Sequence, residues 1–524
     1  MMTPVFGLHA AILTLALLAT LCRTSTTYGS LRYANHIFNA IHSSMRQFGS
    51  SLNHNGMSIF IATVPEGIEL YHGTSSPYRV NGTEWLAFEP EHALIFARPH
   101  RGPPGPRKPP RSLPDTKRCS SPDRPLHNMP PSAPLKHMSD QKPILSEEAC
   151  QISEPNGYLH TYRTKHDLRL LYLDGQSAAK SRKGTLDMQD KVLLQDDLAI
   201  DDEESEPGHG GPMGEFKRAS GLCRMAYEQW NDRIDGILRM EGGFEIILCS
   251  FEQHLNVARI TQSKSGSDGG FGGHGDAEES FNYYQAVAAR YDGIGGNRVR
   301  LGYDTFVTLF ARPNSFAFDE TGRPRVSDDT SELDAVRTAV TDMILQEHKP
   351  KADWQAISDL VVARYADRIE YMVAGDWILN SLKADVDRAL RPFIDYAHRN
   401  STAEIERCAS QFMPPDFDSA TLAARAILNV TSAICTALTT AAASEHLDSA
   451  LMSVRDLKSW LGWTTWKRCR GCGAHEICFL PIWPVGSEND FKEPKCRSNI
   501  DEAPKGYWGD FGPPHKDESP DPYR

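Results

Sequence analysis

The sequence predicts an α+β protein, with a mixed sheet domain first, a mostly helical half behind it and a cysteine-rich end. Three observations carry this. Short apolar runs bounded by Gly, Pro and Asp recur before residue 310. Beyond about residue 330, apolar residues recur every three or four positions. Cys469, Cys472, Cys478 and Cys496 then cluster near the C-terminus.

Taken in order, 1–27 reads as a cleaved signal peptide, the alternative being an uncleaved anchor. Its apolar stretch 9–21 is too short for a confident membrane span, and small polar residues follow it. No later stretch is read as crossing a bilayer. A helix is expected over 30–47, with Ile37, Ile41 and Met45 on one face. The α+β domain, 28–260, continues with strands at 57–63 and 68–74, joined as a hairpin through Pro65-Glu66-Gly67. A strand at 85–88 follows, then a break at Pro90 and a helical turn with Ala93, Phe96 and Ala97 on one side. The Pro-rich basic stretch 99–143 reads as an insertion without a fixed fold; the alternative is a docking peptide for a Pro-binding module. Strands are expected at 158–163 and 168–175, and an acidic, glycine-rich loop over 196–214. Its Asp/Glu run lacks the ligand spacing of a calcium loop and reads as solvated. A helix at 221–240 and a strand at 244–249 complete the domain.

A Gly-rich linker, 261–278, leads to the helical region, 279–462, which opens with one more strand within 297–310. Helices are expected at 331–347, 354–374, 376–398, 419–444 and 449–461. The second has an N-cap at Asp353 and a stop at Gly375. The cysteine-rich segment is 463–500, and 501–524 reads as a loose tail.

A net charge of −12 argues against nucleic acid, which requires a basic face. With Cys22 leaving in the signal, ten cysteines remain: Cys119, Cys150, Cys223, Cys249, Cys408, Cys435, Cys469, Cys472, Cys478 and Cys496. In an exported chain these read as disulfides whose pairing stays open, in preference to a zinc cluster at the C-terminal four. Sequons at Asn81, Asn400 and Asn429 agree with export. The expectation is a secreted glycoprotein, non-catalytic or of unassigned activity, with partners unknown.

Two stretches suggest chemistry. Tyr71-His72-Gly73-Thr74 closes an apolar strand, and Glu245 sits inside the apolar run 244–249. A lone acid in such a strand needs a reason. With 85–97 between them, these pieces resemble the ADP-ribosyltransferase fold of the poly-ADP-ribose polymerase and diphtheria-toxin branch, over about 61–251. The resemblance implies NAD as cofactor, with His72 on its nicotinamide ribose and Glu245 stabilising an oxocarbenium-like transition state. It implies Gly73 for close backbone approach. Tyr71, Thr74, Trp85 and Phe88 would contribute to the cofactor slot, with no stacking Tyr assigned. The second stretch, Gly175-Gln176-Ser177-Ala178-Ala179, has the outline of a nucleophile elbow with Ser177 as a hydrolase nucleophile. Its other reading is a strand-end turn with Gly175 at positive φ. The chain also resembles a set of secreted fungal proteins, through 170–179, Gly184-Thr185-Leu186-Asp187, Arg233-Ile234-Asp235-Gly236 and 460–466.

Overall fold

A computed structural model describes residues 31–99, 156–195, 214–263, 277–289, 293–347, 351–499 and 506–509. The expected signal, most of the Pro-rich insertion and the acidic loop lie outside them, as do Cys119 and Cys150.

The α+β expectation holds. The main sheet has nine strands, β1 (Asn55–Val64), β2 (Glu69–Thr74), β3 (Glu84–Ala87), β4 (Gly157–Thr164), β5 (Leu168–Gly175), β6 (Gly236–Met240), β7 (Phe244–Leu248), β8 (Leu255–Ser263) and β9 (Arg300–Thr308); Phe316–Phe318 with Pro324–Val326, and Ile477–Phe479 with Lys495–Arg497, form two further pairs. The nine lie in the order β8-β4-β2-β3-β7-β6-β5-β1-β9. Every neighbouring pair is antiparallel except β5 and β6.

The expected hairpin does not form. β1 lies between β5 and β9, whereas β2 lies between β4 and β3. β1 is buried along almost its whole length, which suits an interior strand covered on both faces. The Pro65–Gly67 turn closes against β4 instead: Gly67 N–H donates to the Thr164 carbonyl at 3.0 Å, and the Thr164 hydroxyl to the Pro65 carbonyl at 2.7 Å.

The helices are α1 (Ala34–Ser43), α2 (Gln47–Leu52), α3 (Pro90–Leu94), α4 (Glu215–Glu228), α5 (Phe251–His254), α6 (Ala277–Tyr284), α7 (Thr330–Leu345), α8 (Trp354–Ala374), α9 (Leu379–Leu390), α10 (Ser401–Ser410), α11 (Leu422–Ala443), α12 (Leu447–Leu461) and α13 (Glu488–Lys492). The expected helix 30–47 breaks at Met45, whose φ is +54°. The expected helix 221–240 is α4 followed by β6. Asn231 and Asp232, at φ +51° and +55°, turn the chain between them, so Ile237 and Leu238 belong to the sheet. Beyond α3, Ala93 and Ala97 are buried but Phe96 is 54 % exposed, so these three do not share a face. α8 begins as expected, with the Asp353 carboxylate accepting from Ala356 N–H, and ends at Gly375.

α11 packs against α1, α9, α10 and α12. It is also long and apolar enough to cross a membrane, contrary to the expectation that no later stretch qualifies. Half of its most apolar window is buried inside the protein. One apolar core runs from the sheet into these helices without a break. The expected loose tail is partly fixed: Tyr507 and Trp508 are buried, and the Tyr507 hydroxyl meets His54 Nε2 at 2.7 Å.

Four disulfides join Cys223–Cys249, Cys408–Cys435, Cys469–Cys478 and Cys472–Cys496. The C-terminal four are therefore cystines. Cys408–Cys435 ties α10 to α11 across a separation of 27 residues. Replacing both by Ser is expected to cost about 3 kcal/mol of stability, read from the shift of a urea unfolding curve against the parent protein.

Candidate functional site

The suspected pair, His72 and Glu245, does not converge. Tyr71 pairs with Ala87, and Ala87 with Glu245, so these three project from one face of the sheet. His72, one residue on, projects from the other. Its Nδ1–H donates to the Trp85 carbonyl at 2.7 Å, and burial lowers its pKa to about 4, which keeps the ring neutral. Gly73 does permit a close backbone approach, but the approaching backbone is the protein's own. A Cβ there would strike the Ala93 carbonyl and stand 2.7 Å from the Ala97 nitrogen. Phe88 is fully buried, and Trp85 meets Phe216 edge-on at 4.9 Å. Thr74 serves its own turn, accepting from Ser76 N–H at 3.3 Å. Among the described residues the expected NAD slot is not assembled.

Glu245 has a different reason to be acidic. Arg239, directly opposite on β6 and completely buried, donates to its Oε1 from Nε at 2.9 Å and from Nη2 at 2.7 Å. Nη1 donates to Gln189 Oε1 at 2.8 Å, and Nη2 also reaches Glu215 at the start of α4. Lys180 Nζ adds a bond to Glu241 at 2.5 Å and lies 3.7 Å from Glu215. Burial, only partly offset by Lys180, pushes Glu241 up to about 7.

Ser177 is not a nucleophile in this fold. It is 2 % exposed and its hydroxyl donates to the Leu173 carbonyl at 2.7 Å. The strand-end reading holds, with Gly175 at φ +69°. Of the sequons, Asn81 and Asn400 are exposed. Asn429 lies inside α11, donating to the Arg425 carbonyl at 2.8 Å, and Thr431 of that sequon is buried.

The feature that sequence reasoning missed is a cleft of about 670 Å³, within the range of small-molecule sites. Its floor is the end of β5, where Asp174 lies, together with the α2–β1 junction at His54 and Asn55. One wall is α1; another is α12 and the turn after it, with Arg455, Lys458, Trp463, Trp466 and Lys467. Arg323 and Phe491 complete the lining.

Among the described residues, Asp174 is the only acidic one lining it. Its Oδ1 accepts Ser58 N–H at 2.9 Å, but burial outweighs that bond and pushes the carboxyl up to about 7. Burial holds His54 at about 3 and His36 at about 4, so both rings are neutral. The lining is rich in donors. Among the described residues, the buried Trp463 Nε1–H and Arg323 Nε–H have no hydrogen-bond partner, although the Arg323 Nη atoms are held by Thr321, Tyr507 and Glu488. Exposed Arg455 has no acidic partner among the described residues. Lys458 pairs with Glu370, and Lys467 donates to the Phe491 carbonyl at 2.9 Å. Such a lining can hold an acceptor-rich anion, with Asp174 as a further donor below about pH 7.

Residues 30–268 match the family model for the YPL277C N-terminal domain. The chain is similar to uncharacterized protein YOR389W of Saccharomyces cerevisiae, 33% identical over 220 residues, which are 41% of this chain and 31% of that protein. It is equally similar to uncharacterized protein YPL277C of the same yeast, 33% identical over 221 residues, 41% of this chain and 40% of that one. The chain thus spans well under half the length of these curated relatives. They support the expected likeness to fungal proteins. No solved structure matches the chain, so the ADP-ribosyltransferase likeness finds no support among known folds.

Asp174 also sets a pH dependence. The folded protein keeps this proton up to about pH 7, whereas an ordinary Asp releases it near 3.8. Protons are therefore bound more tightly by the folded state, and stability contributed here falls as pH rises from 4 through 7. Asp174→Asn keeps an acceptor for Ser58 and removes the charge. It is expected to raise the melting temperature at pH 8 by about 1 °C per kcal/mol relieved in a chain of this length and to change it little at pH 4, measured by calorimetry.

Proposed function

We propose that this is an exported, disulfide-braced protein that binds a small anionic ligand, a carboxylate or phosphate ester, in the cleft above Asp174. The observation that carries the reading is the gathering of Arg323, Arg455, Lys458 and Lys467 around a cleft whose one acidic lining residue among those described, Asp174, is pushed up to about 7, in a chain of net charge −12; Arg323 and Lys458 are shared with Glu488 and Glu370, and Arg455 has no acidic partner among the described residues. Two buried N–H donors without partners, on Trp463 and Arg323, favour an occupant rich in acceptors. The function is binding rather than catalysis. Ser177 is bonded to its own strand, and His72 and Glu245 face away from each other.

Citrate and inorganic phosphate are expected to change tryptophan emission saturably, through Trp463 and Trp466, while glucose does not. Arg455→Glu is expected to weaken the response about tenfold, equal to about 1.4 kcal/mol. Equal responses to charged and uncharged probes would remove the reading.

Export is supported by four cystines and by exposed sequons at Asn81 and Asn400. Expressed in a fungal host, the protein is expected in the medium. Its gel mobility should shift on endoglycosidase treatment, and the shift should vanish in the Asn81→Gln, Asn400→Gln double variant. Retention in the cytosol with free thiols would contradict this.

A further inference from the structure

At the end of the sheet away from Asp174, three segments meet. The turn between β4 and β5 carries His166, the residue before β6 is Asp235, and α5 ends at His254. His254 Nδ1 stands 3.2 Å from His166 Nε2, and His254 Nε2 stands 3.8 Å from Asp235 Oδ1. One ligand atom from each residue lies within 4.8 Å of the other two.

We propose that His166, Asp235 and His254 form a binding site for a divalent transition-metal ion of the zinc class. The His166 Nδ1–H donates to the Asp167 carbonyl at 3.0 Å, which leaves the Nε2 lone pair facing His254. A backbone acceptor on the far nitrogen is the usual device for orienting a ligating imidazole. With metal–nitrogen bonds of about 2.0–2.1 Å, the 3.2 Å separation of the two ring nitrogens subtends roughly 100–106° at a shared ion, close to tetrahedral. Asp235 supplies the third donor. Its Oδ2 is engaged by Arg169 N–H at 2.8 Å, and its Oδ1 faces the other ring nitrogen of His254, Nε2, at 3.8 Å, so the His254 ring must turn to bring one nitrogen to both partners. Two imidazoles and one carboxylate suit zinc and its neighbours rather than magnesium or calcium.

The frame is set before any ion arrives. Lys165 N–H donates to the His254 carbonyl at 2.9 Å, tying the His166 turn to α5. Asp235 N–H donates to the Arg169 carbonyl at 2.8 Å, and Cys249 N–H to the Asp235 carbonyl at 3.0 Å. Cys249 is held in turn by its cystine with Cys223. His166 is exposed, so an ion can enter from water, and a solvent molecule can fill the fourth position. The Lys165 ammonium, which opposes a cation, is directed at the Glu252 carbonyl at 2.6 Å.

The test uses the full-length protein, purified without a histidine tag and stripped with a chelator. Calorimetric titration with ZnCl2 is expected to show one site of micromolar or tighter affinity, and Co2+ is expected to give the visible absorption of a tetrahedral centre. His166→Ala, at an exposed position, and Asp235→Asn should each weaken zinc by about 100-fold while circular dichroism stays that of the parent. No zinc uptake by the parent protein, or full affinity retained in His166→Ala, overturns the assignment.

Discussion

The fold hangs on a guanidinium buried away from bulk solvent. Arg239 is completely buried, and a charge there is sustained only when partners replace its lost hydration. Those partners come from three places: Glu245 from the neighbouring strand, Glu215 from the first turn of α4, and Gln189 from the helical turn Met188–Leu194. Each brings its own segment against the middle of the sheet. Arg239 thereby fixes how α4 and that turn lie on β6 and β7, and apolar burial fills in around it. Lys180 and Glu241 extend the network, giving two cations and three acids within it. The surplus of one negative charge explains why the burial of Glu241 is relieved by a proton near neutrality.

The sequence shows those elements whose reasons are local. α8 is legible because its cap, its period and its terminating glycine all lie within its own length. β7 and β5 are legible as apolar runs bounded by turns. β8 is not legible, because it is an edge strand whose middle residues are mostly exposed and carry no alternation. The error at 221–240 has one cause. Leu222, Met225 and Trp230 on the helical side and Ile234, Ile237 and Leu238 beyond are all core residues, so burial alone gives an unbroken period. Only the left-handed conformations of Asn231 and Asp232 separate helix from strand. The supposed hairpin fails because pairing is decided by which strands can bury both faces, which is a property of the whole sheet.

The chemistry was legible only in part, for a related reason. That a carboxylate inside an apolar strand needs a partner was correct for Glu245, but the partner is Arg239 and not a substrate. His72-Gly73-Thr74 has the residues that a nucleotide pocket would need. The space beside Gly73 is filled by the main chain of Ala93 and Ala97. The same argument applied to Asp174, an acid at the end of an equally apolar strand, would have pointed to the cleft. Ser177, three residues later, carries the more familiar motif. Of the cleft's cations, Arg455 and Lys458 lie one turn apart on α12, but no local pattern joins them to Arg323 or Lys467.

β5 connects the two ends of the molecule where polar groups gather. It starts beside the His166 turn and finishes at Asp174 in the cleft floor. Between these ends its residues are almost entirely buried and paired on both sides, to β1 and to β6. A strand so held does not slide, because a shift of one residue would turn its apolar side chains to the wrong face. The cleft is therefore a preformed one, with its floor fixed by the sheet and one wall by α12 packed on α11. Recognition there depends on donors already in place, so its selectivity follows from which acceptors a ligand presents to Trp463, Arg323 and Asp174. Little of the interaction is lost to ordering the protein.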